Sequence, residues 1–169
     1  ELRQATAKLS DELRQRQWHV LDVSLQKLVL AKIAALPEDL RRVVRDREVR
    51  FHVQKRDPER ALNALKEQLS PALEGPDGLA RDVTRALDAL VAAHPQDQDR
   101  SLVFLSRAQA LYPFTRSGSL LKHIADHTHH VPVILLYPGE QRDGGLSFLG
   151  QLKADRDYRP RIYPQRLLP

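Results

Sequence analysis

Two unbroken apolar segments in the C-terminal half constrain the fold of this chain most strongly. They are SLVFLS at 101–106 and VPVILLYPG at 131–139. Strands that are buried on both faces read as continuous apolar runs, whereas half-exposed strands alternate. Segments with helical spacing of apolar residues precede and follow both runs. Strands that alternate with helices along the chain are typical of a parallel sheet covered by helices. We therefore predict an α/β fold in three layers, with a mostly parallel sheet of about four strands.

The remaining elements follow from the same periodicity. Apolar residues three and four apart predict helices at 2–17, 25–36, 57–71, 79–94 and 120–125, and a short one at 146–152. Short strands are predicted at 18–25 and 158–164. The stretch 40–56 is mixed, and we predict a helix broken near Asp46. Loops are expected near 72–78 and 94–100, where Gly, Pro and polar residues concentrate.

Composition narrows the class of protein. A chain of 169 residues has the length of one domain, 1–169, and buries about 70% of its unfolded surface. The lack of Cys excludes disulfide scaffolds, thiolate zinc sites and Cys nucleophiles. The longest apolar run, 131–137, is too short to cross a bilayer and no signal peptide opens the chain, so we expect a cytoplasmic protein. The chain also lacks Met, and we expect its natural start to lie upstream of Glu1.

A group of histidines is the first candidate for chemistry. The group comprises His123, Asp126, His127, His129 and His130. His123 and His127 are four residues apart, so on a helix they share a face and could hold a metal ion. No Glu follows His123 in the manner of zinc proteases, and no distant third ligand is evident. A polar helix end explains the group as well, because protonated His suits the negative pole. We expect no metal site.

The segment after the second apolar run is rich in glycine. A glycine-rich loop behind a parallel strand can cradle phosphate, but YPGEQRDGG at 137–145 has neither the residues of a P-loop nor the dinucleotide spacing. We expect Gly139 and Gly145 to shape a loop instead. Acids that could bind magnesium each have a basic neighbour and could equally form solvated ion pairs: Glu140, Asp143, Asp155 and Asp157. No serine lies in a nucleophile elbow, so we predict no catalytic residues and no cofactor.

Basic residues give two further candidates. The net charge of +5 permits nucleic-acid binding without arguing for it. Arginines crowd 41–60, but interspersed acids weaken the field that a phosphate backbone would feel. The C-terminal basic set is cleaner and comprises Arg156, Arg159, Arg161 and Arg166 beside Tyr158 and Tyr163. Arg beside Tyr suits base stacking and equally a protein interface, and of these two we favour the interface.

Arg116 completes the candidate residues. It precedes a predicted helix and follows a predicted strand, at the end of the sheet where α/β folds place their sites. An arginine that ties down a loop explains this position equally well. The residues predicted to contact a partner or to shape its site are Arg116, Tyr137, Tyr158, Arg159 and Arg161. Pro113, Gly139 and Gly145 are predicted to shape loops.

The order of the C-terminal motifs resembles the BrxB component of bacteriophage-exclusion (BREX) defence systems. That family has a strand that leads to a Pro-Phe-x-Arg turn and a Leu-Leu helix start, here 113–116 and 120–121. Val-Pro-Val and Tyr-Pro-Gly follow at 131–133 and 137–139. The next matches are Gly145, Leu146, Phe148, Tyr158 and Arg159. Two features depart from the family: its usual first strand is absent, and its Tyr-Tyr-Arg reads Asp157-Tyr158-Arg159.

The resemblance implies a small non-catalytic defence protein encoded beside other BREX components. Those are a PglZ-type protein with the alkaline-phosphatase fold, a DNA methyltransferase and a large ATPase. No catalytic residues can be carried over from the family. We expect an adaptor that binds the PglZ-type protein, with the methyltransferase and the ATPase as further partners, DNA contact indirect or weak, and no membrane association. The alternatives are a nucleic-acid-binding module that uses the C-terminal Arg/Tyr segment, and a nucleotide-binding or degenerate nuclease enzyme.

Overall fold

The computed structural model describes residues 2–54, 57–142, 145–148, 161 and 163. The chain forms two compact units, Glu1–Leu136 and Tyr137–Pro169. The larger unit contains the parallel sheet and the α-helices, and the smaller unit contains a β-hairpin. That the whole chain is one domain stays a prediction.

The larger unit alternates helices and strands. Its helices are α1 (Leu2–Gln15), α2 (Leu25–Ala34), α3 (Glu38–Val53), α4 (Pro58–Glu74), α5 (Leu79–Ala93) and α6 (Ser117–Ile124). Its strands are β1 (His19–Ser24), β2 (Ser101–Ser106) and β3 (Val133–Leu135). Short 3-10 turns lie at Gln98–Arg100, Ala108–Leu111 and Ala125–His127. The sequence therefore predicted these α-helices and strands correctly in type and in order.

The three strands form one parallel sheet in the order β1-β2-β3. β2 is central, with Leu21 opposite Val103 and Val103 opposite Val133. The backbone N–H of Val103 donates to the carbonyl oxygen of Pro132 at 3.0 Å. The predicted α/β fold is confirmed, with three strands in the described part of the sheet where about four were expected.

The core lies between this sheet and the helices that follow β1. Val23, Val103 and Leu105 share one sheet face and pack with Val83 and Leu87 of α5. Because side chains alternate along a strand, Leu102 and Phe104 lie on the opposite face, and they are buried too. The unbroken apolar run at 101–106 is thus a strand that is buried on both faces, as predicted.

Two predicted helix features of the larger unit are wrong. α3 continues through Asp46 without a break, because residues on both sides of it keep helical geometry. α4 passes through Pro71 and ends at Glu74. The Pro71 carbonyl oxygen still accepts a hydrogen bond from the N–H of Gly75 at 3.2 Å, which closes the last turn of α4.

The second apolar segment, 131–139, also differs from its prediction. Only Val133–Leu135 form a strand, and Ile134 in the middle of it is 41% exposed. β3 is an edge strand within the described sheet, so it has a neighbour on one side only. Pro132 limits the ladder at its start because proline has no N–H to donate.

The smaller unit contains β4 (Gly139–Arg142) and β5 (Gly145–Phe148), which pair antiparallel. The prediction of a loop at 137–145 and a short helix from Leu146 is wrong here. Leu146 and Phe148 are two residues apart, and this spacing fits a strand better than a helix. The Asp143-Gly144 dipeptide between the strands is a common hairpin signal. The predicted strand at 158–164 lies outside the described residues except for Arg161 and Tyr163, which are not in a strand.

Candidate functional site

Arg116 is exposed at the residue that precedes α6. Its carbonyl oxygen accepts a hydrogen bond from the N–H of Leu120 at 3.2 Å, which closes the first turn of α6. Pro113, predicted to shape this loop, follows Tyr112 in a cis peptide bond and is half-buried. The structure thus places Arg116 between β2 and α6, as the sequence predicted, with its side chain open to solvent.

A cavity of about 340 Å³ lies next to this loop, between the end of α4, the start of α5 and α6. Thr115, Ser119 and His123 contribute its polar side chains from the α6 side. The other lining residues are largely apolar and include Leu73, Leu79 and Leu120. Mostly apolar walls with a few polar groups are common in small-molecule pockets. The described lining residues do not indicate which class of ligand this cavity would bind.

The other predicted contact residues belong to the smaller unit. Tyr137 is half-buried, and Gly139 and Gly145 are the first residues of β4 and β5. Arg161 lies with its guanidinium carbon 5.7 Å from the ring centre of Tyr163, and both side chains are exposed. Tyr158 and Arg159 lie outside the described residues. That these residues act together with Arg116 stays a prediction.

The histidines at 123–130 make separate contacts. The Nδ1 atom of His123 lies 2.7 Å from the carbonyl oxygen of Ser119, one turn back on α6. The Nε2 atom of His129 lies 2.7 Å from Oδ1 of Asp88 on α5. Within 2–54, 57–142 and the shorter described stretches, no three or more His, Cys, Asp or Glu residues come together as metal ligands. Among the described residues, His123 and His127 therefore have no third side chain beside them that could complete a metal site.

Helix α3 carries a surface that the sequence indicated only as a mixed basic segment. It has 16 residues, and none of them is buried. Val43, Val49 and Val53 are 47%, 56% and 72% exposed. Its N-cap residue, Pro37, offers no side-chain hydrogen bond to the first turn. Most helices in folded proteins are stabilised by the burial of one face, and α3 obtains little of this from the described part of the chain.

One stripe of α3 is half-buried, and α3 packs against α4. The stripe follows helical spacing and consists of Leu40, Val44, Arg47, Glu48 and Phe51. Oε1 of Glu48 is buried and has no hydrogen-bond partner in the described structure. A buried acceptor without a donor costs about 1–3 kcal/mol. The half-buried stripe of α3 therefore includes a buried oxygen atom that lacks a hydrogen bond in the described structure.

A groove of about 420 Å³ opens where α3 meets α4. We call it the α3–α4 groove, and its lining residues are Val43, Arg47, Arg50, Phe51, Gln54 and Gln68. The guanidinium carbon of Arg47 lies 5.9 Å from the centre of the Phe51 ring. Nε of Arg50 donates to the carbonyl oxygen of Asp46 at 3.2 Å. Neither arginine forms an ion pair with a carboxylate in the part of the chain that is described.

The groove combines three kinds of chemistry. Val43 and Phe51 offer apolar surface, Arg47 and Arg50 offer guanidinium groups, and Gln68 offers a buried Oε1 that has no hydrogen-bond donor in the described structure. Arginine and aromatic residues are enriched at protein interfaces. The sequence signal was present in the basic segment 41–60. Only the unbroken helix shows that Arg47 and Arg50 share a face with Phe51, away from Arg42 and Arg45.

Comparison with known proteins gives the family of the chain. The model of the family described as "BREX protein BrxB" matches residues 22–162. The chain belongs to the BrxB family. The predicted resemblance is thus confirmed, and the match includes α3, α4 and most of each compact unit. No curated protein and no solved structure shows significant similarity to the chain.

BrxB membership identifies the chain as a component of a BREX phage-defence system that works with other BREX proteins. The α3–α4 groove lies within the residues that match the family. Across the stretches that the structure describes, no helix combines the length and the apolar character needed to traverse a bilayer.

Proposed function

We propose that this BrxB protein is a non-catalytic, cytoplasmic adaptor that binds the PglZ-type component and helps to assemble the BREX complex. The observation that carries the proposal is α3, a 16-residue helix without a buried residue. Exposed valines, a half-exposed phenylalanine and arginines occupy this helix together. Such a mixture is typical of surfaces that become buried when a partner binds.

The incomplete packing of α3 on α4 supports the same proposal. Glu48 on α3 and Gln68 on α4 each have a buried oxygen without a hydrogen-bond partner in the described structure. Native proteins keep few such groups, and each one calls for an explanation. A bound protein that covers the valines, and toward whose donors these two side chains turn, would account for both features of this surface.

A second candidate function is nucleic-acid binding through the C-terminal segment. The observation that favours it is Arg161 over the Tyr163 ring at 5.7 Å, with both residues exposed. Paired Arg and Tyr side chains can stack on bases and contact phosphate. Binding of this kind weakens steeply as salt rises, because each phosphate contact releases counterions.

Co-purification separates the two functions. The protein is expressed with the PglZ-type protein, the methyltransferase or the ATPase, one at a time, and recovered at low salt and at ~0.5 M salt, where screening acts over a few ångströms. We expect a one-to-one complex with the PglZ-type protein that withstands the higher salt. Retention of DNA at low salt alone, with no protein partner at either salt, would contradict the adaptor proposal and favour nucleic-acid binding.

The predicted C-terminal contact residues are tested in the same assay. The double variant Tyr158→Ala/Arg159→Ala should recover less of the PglZ-type protein while keeping the thermal unfolding temperature of the parent. Arg116→Ala provides a separate test for the exposed loop of the larger unit. Undiminished recovery by both variants would remove these residues from the interface and leave α3 as its candidate.

A further inference from the structure

We propose that the α3–α4 groove binds an acidic amphipathic helix of a partner protein. In this arrangement an apolar side chain of the partner covers Val43 and Phe51, and two partner carboxylates pair with Arg47 and Arg50. The inference rests on the proposed adaptor function, because it supplies the chemistry of the surface through which the adaptor would bind.

The apolar part of the groove favours a protein occupant. Val43 is nearly half exposed, and Phe51, which is half-buried, lines the same groove. A large apolar side chain in this position would remove both from water, at about 25 cal/mol for each Å² covered. A depression between two helices fits a third helix, whose apolar residues recur three and four positions apart.

The charge of the groove favours an acidic occupant. Among the residues that the structure describes, its lining includes Arg47 and Arg50 and no Asp or Glu. The two arginines are three residues apart on one helix, so they lie about one turn from each other. Carboxylates with the same spacing on a partner helix could face both guanidinium groups. Hydrogen bonds between guanidinium and carboxylate are charge-assisted and stronger than neutral ones.

The apolar surface beside the arginines argues against a nucleic-acid strand as occupant. A phosphate backbone would pair with Arg47 and Arg50 but would leave Val43 without an apolar partner.

Charge reversal on two faces of α3 tests the proposal with a matched control. The test variant is Arg47→Glu/Arg50→Glu. The control is Arg42→Glu/Arg45→Glu, which makes the same charge change at the same spacing on the face of α3 away from the groove. We expect the test variant to bind the co-purified PglZ-type protein at least about tenfold more weakly, with the control within about twofold of the parent. Circular dichroism checks that both variants remain folded.

Photo-crosslinking in the full chain identifies the occupant and keeps the test valid if the charge variant unfolds. A benzophenone amino acid replaces Val43 in the groove or, as the control, Val49. We expect the Val43 position to crosslink to a partner peptide that is rich in Asp and Glu and contains a large apolar residue. A complex that forms without a crosslink from Val43, a crosslink to a basic peptide or to nucleic acid, or equal weakening by both charge variants would overturn the groove assignment. Failure of the parent protein to form any complex would instead overturn the adaptor proposal, and the groove assignment with it.

Discussion

Helices α5 and α3 have 15 and 16 residues, but they relate to the core in opposite ways. α5 buries Leu79, Val83 and Leu87 along one stripe against the sheet. α3 has apolar residues around its circumference and buries none of them. Two helices of similar length in one chain therefore differ in how much they contribute to the core, and we propose that the one that contributes less contacts a partner.

The comparison shows where the free energy of folding comes from. Apolar burial supplies most of the stability of a domain, so α5 and β2 carry a large share of it. α3 supplies less, because three of its valines, Val43, Val49 and Val53, keep about half or more of their surface in water. A helix that contributes little to the core can change its surface residues with little loss of stability, which is a useful property in a recognition element.

The largest expected contrast lies between two valines, one on each helix. Val83 on α5 is fully buried and Val49 on α3 is 56% exposed. Val83→Ala should lower the free energy of unfolding by about 2 kcal/mol, since it removes two buried methyl groups and leaves a cavity. Val49→Ala should change it by less than about 0.5 kcal/mol. Urea denaturation of both variants measures this, and equal losses would contradict the assigned roles of the two helices.

A smaller contrast is expected between two ion pairs. Nζ of Lys32 on α2 lies 3.0 Å from Oδ2 of Asp82 on α5, and both side chains are less than a fifth exposed. Arg41 and Glu38 form a pair on α3 that is more open to water. Asp82→Asn should cost about 1–2 kcal/mol, because it leaves a largely buried ammonium with weaker partners. Glu38→Gln should cost about 0.3 kcal/mol or less. A larger loss from the α3 variant in thermal unfolding would argue that α3 is integral to the core.

The smallest contrast concerns the helix starts. Asp57 caps α4, where its Oδ1 accepts from the N–H of Glu59 at 3.0 Å. Asp57→Ala should cost about 1 kcal/mol. α3 has no side-chain cap bond, and Asp39 in its first turn acts on the helix dipole alone, so Asp39→Ala should cost about 0.3–0.5 kcal/mol. The denaturant midpoints of the two variants show which substitution costs more stability. A larger loss from Asp39→Ala would contradict this expectation.

Periodicity predicted the folding elements well because burial controls them. The run at 101–106 became the central strand, and the stripe of α5 became its cover. α3 was harder to predict because only some of its apolar residues follow one stripe, so the stretch 40–56 was mixed and a break was predicted near Asp46. β5 was missed because Leu146 and Phe148 were read with helical spacing, although the Asp-Gly signal before them favours a hairpin.

The candidate site was less predictable than the fold. Arg116 could be placed from the order of elements, because a loop after a parallel strand lies at the carboxyl end of the sheet. The α3–α4 groove depends on which helix packs on α4 and on which side chains remain unpaired there. Composition showed only a mixed basic segment at 41–60. The continuous helix separates Arg47 and Arg50 from Arg42 and Arg45, and a linear sequence does not display this separation.

Hydrogen–deuterium exchange of the protein alone and saturated with the PglZ-type protein tests the central claim most directly. The claim is that α3 is the contact surface and that the sheet with α5 is the framework. We predict slower exchange across 38–53 in the complex, with exchange in β2 and α5 unchanged. Unaltered exchange in α3 of a saturated complex, together with protection elsewhere in the chain, would contradict the claim.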